Sequence, residues 1–180
     1  MRTGLRAPTT EHEPSERAPN VRSHRPRALW GLVLLLGLLV VGGFDGGLAF
    51  VMDRTGASLG AKLSWLARTP VNDFLLPGLF LLGVYGIGGL ILIAGLITRG
   101  APGPLRSLDR AWGYHWAWVG SIAFGATLVL WIVYELLVMP EAMFLQPVLI
   151  VVGLGISGLP LLPSLRRWFT VEPETAPTRR

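Results

Sequence analysis

Four long apolar runs, Ala28–Met52, Phe74–Ile97, Trp116–Met139 and Pro147–Leu162, take up about half of the 180 residues. A helix rises ~1.5 Å per residue, so the first three runs can cross a hydrocarbon core of ~30 Å and the fourth nearly can. The chain is therefore expected to be all-α: a four-transmembrane-helix bundle with spans at about 28–52, 74–97, 116–139 and 147–164, inside a membrane domain of 28–168. Residues 1–27 and 169–180 hold Pro, Arg, Glu, Ser and Thr with almost nothing to bury, so they are expected to be disordered tails.

The placement of charge sets the expected orientation. The formal charge of +5 would suggest a nucleic-acid partner if the basic groups lay on one folded surface. They do not, and no nucleic-acid partner is expected. Thirteen of the 16 Lys and Arg residues fall before the first run, between the second and third, or after the fourth. Those segments share one side of a four-span protein. The opposite side holds only Arg54, Lys62 and Arg68. The positive-inside rule then puts both termini in the cytoplasm of a multi-pass protein of the cell membrane, with the lipid bilayer as its first partner. A basic region precedes the first run as in a signal sequence. That region is 27 residues long and no small-x-small site follows the run, so the span is expected to be retained. Arginine almost to the exclusion of lysine suggests a GC-rich bacterial genome. The absence of cysteine excludes disulfides, thiol catalysis and Cys-ligated metals.

Tryptophans mark the expected interfaces. Trp30, Trp65, Trp112, Trp116 and Trp168 lie at or between the ends of the runs, where an apolar ring and a polar N–H can both be satisfied. The first outer loop, about 53–73, is expected to be structured. Ser58 can cap a short helix with Leu59, Leu63 and Leu66 on one face, and Thr69-Pro70 can open the second span. Between the second and third spans, Leu105–Trp112 suits a short interfacial helix. The loop before the fourth run is short enough to force a helical hairpin. Every span carries small residues at close spacing: Gly42/Gly46, Gly43/Gly47, Gly83 to Gly89, Ala117/Ser121/Gly125 and Gly153/Ser157. Such faces let helices approach closely in lipid, within one bundle or in a homo-oligomer.

Polar chemistry inside the spans is sparse. Asp45 and Glu135 lie toward the outer half, with Gln146 at similar depth and Arg54 and Arg68 as nearby cations. An ionised carboxylate at mid-membrane costs roughly 2.5–3.5 kcal/mol, less near an interface, so such residues suggest a polar pocket, an inter-helix hydrogen bond or, for Asp45, a wet position at the end of a span that finishes near Phe44. At 100° per residue Glu135 shares a stripe with Trp131, Leu128, Phe124, Ser121 and Ala117, and so is expected to face the bundle. Asp45 shares its face with Gly42, Leu38 and Gly31. His115 has no second ligand at metal spacing, the serines have no base in reach, and the glycine run is not a phosphate loop. No catalytic residue, metal site or cofactor is expected.

Gly46-Gly47, Ser58-Leu59-Gly60, Leu63-Ser64-Trp65-Leu66, Thr69-Pro70, Asp73-Phe74, Pro77-Gly78-Leu79, Trp131-Ile132, Glu135 and Leu145-Gln146 form a recognisable layout. Over about Ala28 to Leu162 it resembles a group of uncharacterised small four-span membrane proteins of actinobacteria and related bacteria. The resemblance implies the fold and carries no assigned chemistry. A likeness to DoxX-like four-helix proteins rests on span count and size alone. The expected function is non-catalytic: a helper, scaffold or assembly subunit in the bacterial cytoplasmic membrane, with a homo-oligomer or another membrane protein as partner. The alternatives are an outward-facing ligand-binding or transport-like pocket, and a membrane enzyme acting on a lipid or quinone.

Overall fold

A computed structural model describes residues 25–99, 109, 113–139 and 143–170 of the chain. All regular structure among them is helical, apart from one isolated bridge between Tyr114 and Thr170. Helix α1 is Arg27–Met52, α2 is Leu75–Thr98 and α3 is Trp116–Val138, each long and apolar enough to cross a membrane. Helix α4, Leu145–Gly158, continues through a 3-10 turn at Leu159–Leu161. It then bends by 63° into α5, Pro163–Phe169. Counted as one broken span, α4 and α5 make a fourth crossing.

That break departs from the straight fourth span expected over 147–164. Leu162 is extended (φ −58°, ψ 137°), as the residue before a proline prefers to be, and Pro163 takes the first position of α5. The other end also moves: α4 begins at Leu145, so Gln146 lies in its first turn. The Gln146 side chain reaches back to accept the Met143 N–H at 2.9 Å, which satisfies a donor the helix itself leaves open.

The second span starts later than Thr69-Pro70 would place it. Thr69 instead donates its hydroxyl to the Leu66 carbonyl at 2.8 Å, and Asp73 accepts the Leu75 N–H at 3.0 Å. Pro77 explains the shift. In a helix beginning at Pro70 its ring would clash with the Asp73 carbonyl, whereas in one beginning at Leu75 it occupies the first turn, where no N–H is needed. Within α2, Leu81–Gly88 forms a π-helical stretch between two α-helical pieces. Such widened turns change the register of the faces that follow and occur often at functional sites.

Glycines set how near the helices come. A Cβ on Gly43 would stand 2.6 Å from the Gly86 nitrogen, and one on Gly125 would stand 2.5 Å from the Gly153 carbonyl oxygen. Helix α1 thus packs backbone to backbone on α2, and α3 does so on α4. Ser157 adds a hydrogen bond to the Ile122 carbonyl at 3.1 Å across the α3–α4 seam. Lipid tails are as apolar as leucine, so this close fit is what holds the helices together. Around it lies one core: Leu29, Leu32, Leu36 and Leu39 of α1 with Tyr85, Leu92, Phe124, Leu128, Ile132 and Ile156.

The ends of the bundle are built differently. Beyond α1, Asp53 takes the structuring part expected of Ser58. Its carboxylate accepts the Thr55 hydroxyl at 2.6 Å and the Ser58 N–H at 2.8 Å. These bonds, the one from Thr55 first, hold the Asp53 carboxyl below its ordinary range. The expected short helix is split into 3-10 turns, Ala57–Leu59 and Leu63–Leu66. Gly60 between them has φ +69°, a left-handed conformation that ends a helix. As a result Leu59 and Leu63 are exposed, while Trp65 and Leu66 pack with Phe74 in a small second core.

At the other end α2, α3 and α5 are tied together. The Arg99 guanidinium lies 4.7 Å from the Trp168 ring and donates to the Trp168 carbonyl. The His115 N–H reaches the Phe169 carbonyl at 3.0 Å, and Trp118 Nε1 reaches the Pro160 carbonyl at 2.8 Å. The helix expected over Leu105–Trp112 lies outside the described residues except for Asp109. That residue is buried and accepts the Trp116 N–H at 2.6 Å.

Candidate functional site

The two carboxylates within the spans are treated in opposite ways. Glu135, in the last turn of α3, is half-buried, and its Oε1 accepts the Trp131 indole N–H at 2.7 Å. The spacing is i to i−4 on one helix, so each side chain holds the other in place. The α3–α4 hairpin brings Gln146 beside the same carboxylate. Gln146 is 2% exposed, and its Nε2 has no hydrogen-bond partner among the described residues.

An aromatic wall closes the site on the α2 side. The Trp131 ring stacks on Phe80 with centroids 4.5 Å apart, Phe80 meets Tyr85 edge-on at 5.6 Å, and Tyr85 meets Phe124 edge-on at 5.2 Å. Tyr85 is 1% exposed and its hydroxyl has no hydrogen-bond partner among the described residues. It lies within electrostatic range of Glu135. Two buried donors, Tyr85 Oη and Gln146 Nε2, therefore stand near one carboxylate with acceptor capacity to spare. Chemically the cluster can hold a water or a proton between three polar groups. It holds no nucleophile with a base, and no group of three metal-ligating side chains occurs among the described residues.

Asp45 is exposed on the far side of α1. Leu34, Leu38, Val41, Leu48 and Met52 share its face and are between 43% and 84% exposed. No side chain among the described residues bonds to it. Arg54 and Arg68 are exposed in the loop between α1 and α2 and likewise make no side-chain bond to another described residue. The structure thus joins Glu135 to Gln146 and leaves Asp45, Arg54 and Arg68 outside that cluster.

The tryptophans divide in the same way. Trp30 is exposed at the start of α1, and Trp116 is half-buried with its ring against Gly95. Trp168 is half-buried under Arg99. Trp65 turns inward to the second core because the turn at Gly60 rotates its segment over the bundle. Trp112 lies outside the described residues. Sequence reasoning missed Tyr85 and Phe80. Their one signal is a lone tyrosine in a glycine-rich apolar run, with a phenylalanine five residues before it.

Comparison with known proteins finds no matching protein family, no matching curated protein and no matching solved structure.

Proposed function

We propose that this chain is a non-catalytic scaffold or assembly subunit of the bacterial cytoplasmic membrane, crossing it four times with both termini inside. The observation that carries the reading is the outer face of α1. It runs along most of a span, no other described element covers it, and it carries a carboxylate, Asp45, seven residues from the end at Met52. A lipid-facing carboxylate costs roughly 2.5–3.5 kcal/mol at mid-membrane and less toward an interface. A protein that works alone gains nothing from that cost. A protein that holds another membrane component recovers it on assembly.

The orientation rests on where the basic side chains gather. Arg25, Arg27, Arg99, Arg166 and Arg167 meet at the end that holds the start of α1 together with α5. Arg54, Lys62 and Arg68 are at the other. The first end is the cytoplasmic one by the positive-inside rule.

A photocrosslinking residue at Val41 tests the reading in growing cells. The expected result is a discrete adduct with a second polypeptide. Adducts with lipid alone contradict it.

A second reading has its own observation. The buried Tyr85 hydroxyl and Gln146 Nε2, which have no hydrogen-bond partner among the described residues, lie near Glu135 and suit a small polar ligand. Native mass spectrometry of protein in nanodiscs, wild type beside Glu135→Gln, decides it. A bound species present only on wild type supports this reading, and bare protein in both removes it.

A further inference from the structure

The exposed side of α1 carries Trp30, Leu34, Leu38, Val41, Gly42, Asp45, Leu48 and Met52. From Leu34 to Met52 the side chains larger than glycine follow at intervals of four and three, the spacing of one helix face. Such a face suits a second helix packed along it, with Asp45 at one of the contact positions. The same helix already uses its other face, Leu29, Leu32, Leu36, Leu39, Gly43 and Gly47, inside the bundle. Gly42 lies beside Asp45, and a Cβ built there meets nothing within 4 Å. A neighbouring backbone can therefore come close at the level of the carboxylate.

Depth makes Asp45 informative. Helix α1 has 26 residues, a length of ~39 Å against a hydrocarbon core of ~30 Å. Asp45 is seven residues from the outer end at Met52, or about 10 Å along the axis. With the helix centred, the carboxylate stays inside the apolar layer. Its side chain is too short to reach water as a lysine would by snorkelling. None of the chain's described cations reaches it.

We propose that this face docks a transmembrane helix of another protein that carries a lysine or arginine at the depth of Asp45. The proposal rests on the scaffold reading and gives the partner its chemistry. A cation donates to Asp45 and removes the cost of both charges at once, and a partner without one leaves the carboxylate buried and unpaired. A second copy of this chain fits poorly. A parallel two-fold pair along this face sets the two Asp45 carboxylates against each other.

The test uses full-length protein in nanodiscs of zwitterionic lipid and a leucine-rich transmembrane peptide of about 20 residues. One version has a single lysine at the depth of Asp45, and the other has leucine there. Capture is read by energy transfer between labels. Wild type is expected to hold the lysine peptide about tenfold more tightly than the leucine peptide, equivalent to about 1.4 kcal/mol. Asp45→Asn, at an exposed position that leaves the fold alone, is expected to bind both equally. Asp45→Lys is expected to prefer a peptide with glutamate at that depth.

Equal capture of both peptides by wild type overturns the proposal, as does a lysine preference that survives Asp45→Asn. A homodimer through this face that excludes the peptide overturns it too. If binding is charge-blind but is lost in Leu38→Ala, the partner chemistry fails and the scaffold reading stands. If neither peptide binds and the in-cell adduct is also absent, both fail.

Discussion

Asp45 and Glu135 are the same kind of group on two spans of one bundle, yet they meet different surroundings. Glu135 points inward, receives the Trp131 indole and has Gln146 and Tyr85 nearby. Asp45 points outward among leucines and receives nothing from the described residues. The bundle therefore solvates one carboxylate with its own donors and leaves the other to whatever lies outside. A polar residue in a span is thus no single signal. Its face decides whether it serves this fold or another molecule.

The comparison is broken most severely by forcing apart the seam that shelters Glu135. Gly125→Leu drives a side chain into the Gly153 carbonyl and Ser157. It is expected to destabilise the protein by about 3 kcal/mol or more, seen as loss of folded protein in reversible denaturation in mixed micelles. A gentler change keeps the packing and removes one donor. Trp131→Phe leaves the Glu135 carboxylate without its indole and is expected to cost about 1.5–3 kcal/mol. Glu135→Gln, which remains able to accept from Trp131, is expected to cost under about 1.5 kcal/mol. A larger loss for the glutamine than for the phenylalanine would mean that the charge itself, not the hydrogen bond, holds the site.

The smallest effect lies outside the spans and concerns a third carboxylate, Asp53. Its folded pKa is depressed by Thr55 and Ser58, so the stability it gives the loop after α1 is present above the ordinary aspartate range. That stability is lost as pH falls through the depressed folded value. Hydrogen exchange at Thr55 and Ser58 is expected to quicken there relative to the rest of the loop, once corrected for intrinsic rates. In Asp53→Asn the pH response should vanish.

Much of the architecture was legible in the chain because length and apolarity alone decide which segments can cross a membrane. The inward turn of Glu135 followed from its spacing to Trp131 and Leu128, and its meeting with Gln146 follows from the short hairpin loop. The outward face of Asp45 was harder to read. In a membrane helix the buried and lipid-facing sides are both apolar, so periodicity does not tell them apart, and Leu36 and Leu38 read alike though one is buried and the other exposed. Tyr85 was hidden for another reason: a π-helical turn shifts every face after it, which a 3.6-residue period does not anticipate. The break at Leu162 and the late start of α2 both trace to prolines whose missing N–H outweighs the apolar run around them.

The most direct test of the account is a paired stability measurement on the isolated protein, Asp45→Leu beside Glu135→Leu, by reversible unfolding in nanodiscs. Asp45→Leu is expected to leave the protein as stable as wild type or more so, by up to about 2 kcal/mol, because it removes a lipid-facing charge. Glu135→Leu is expected to destabilise it by about 1–3 kcal/mol, because the Trp131 indole N–H is left without its acceptor. Opposite signs uphold the division between a carboxylate kept for the fold and one kept for a partner. Equal losses in both would contradict it, since Asp45 would then be holding this bundle together.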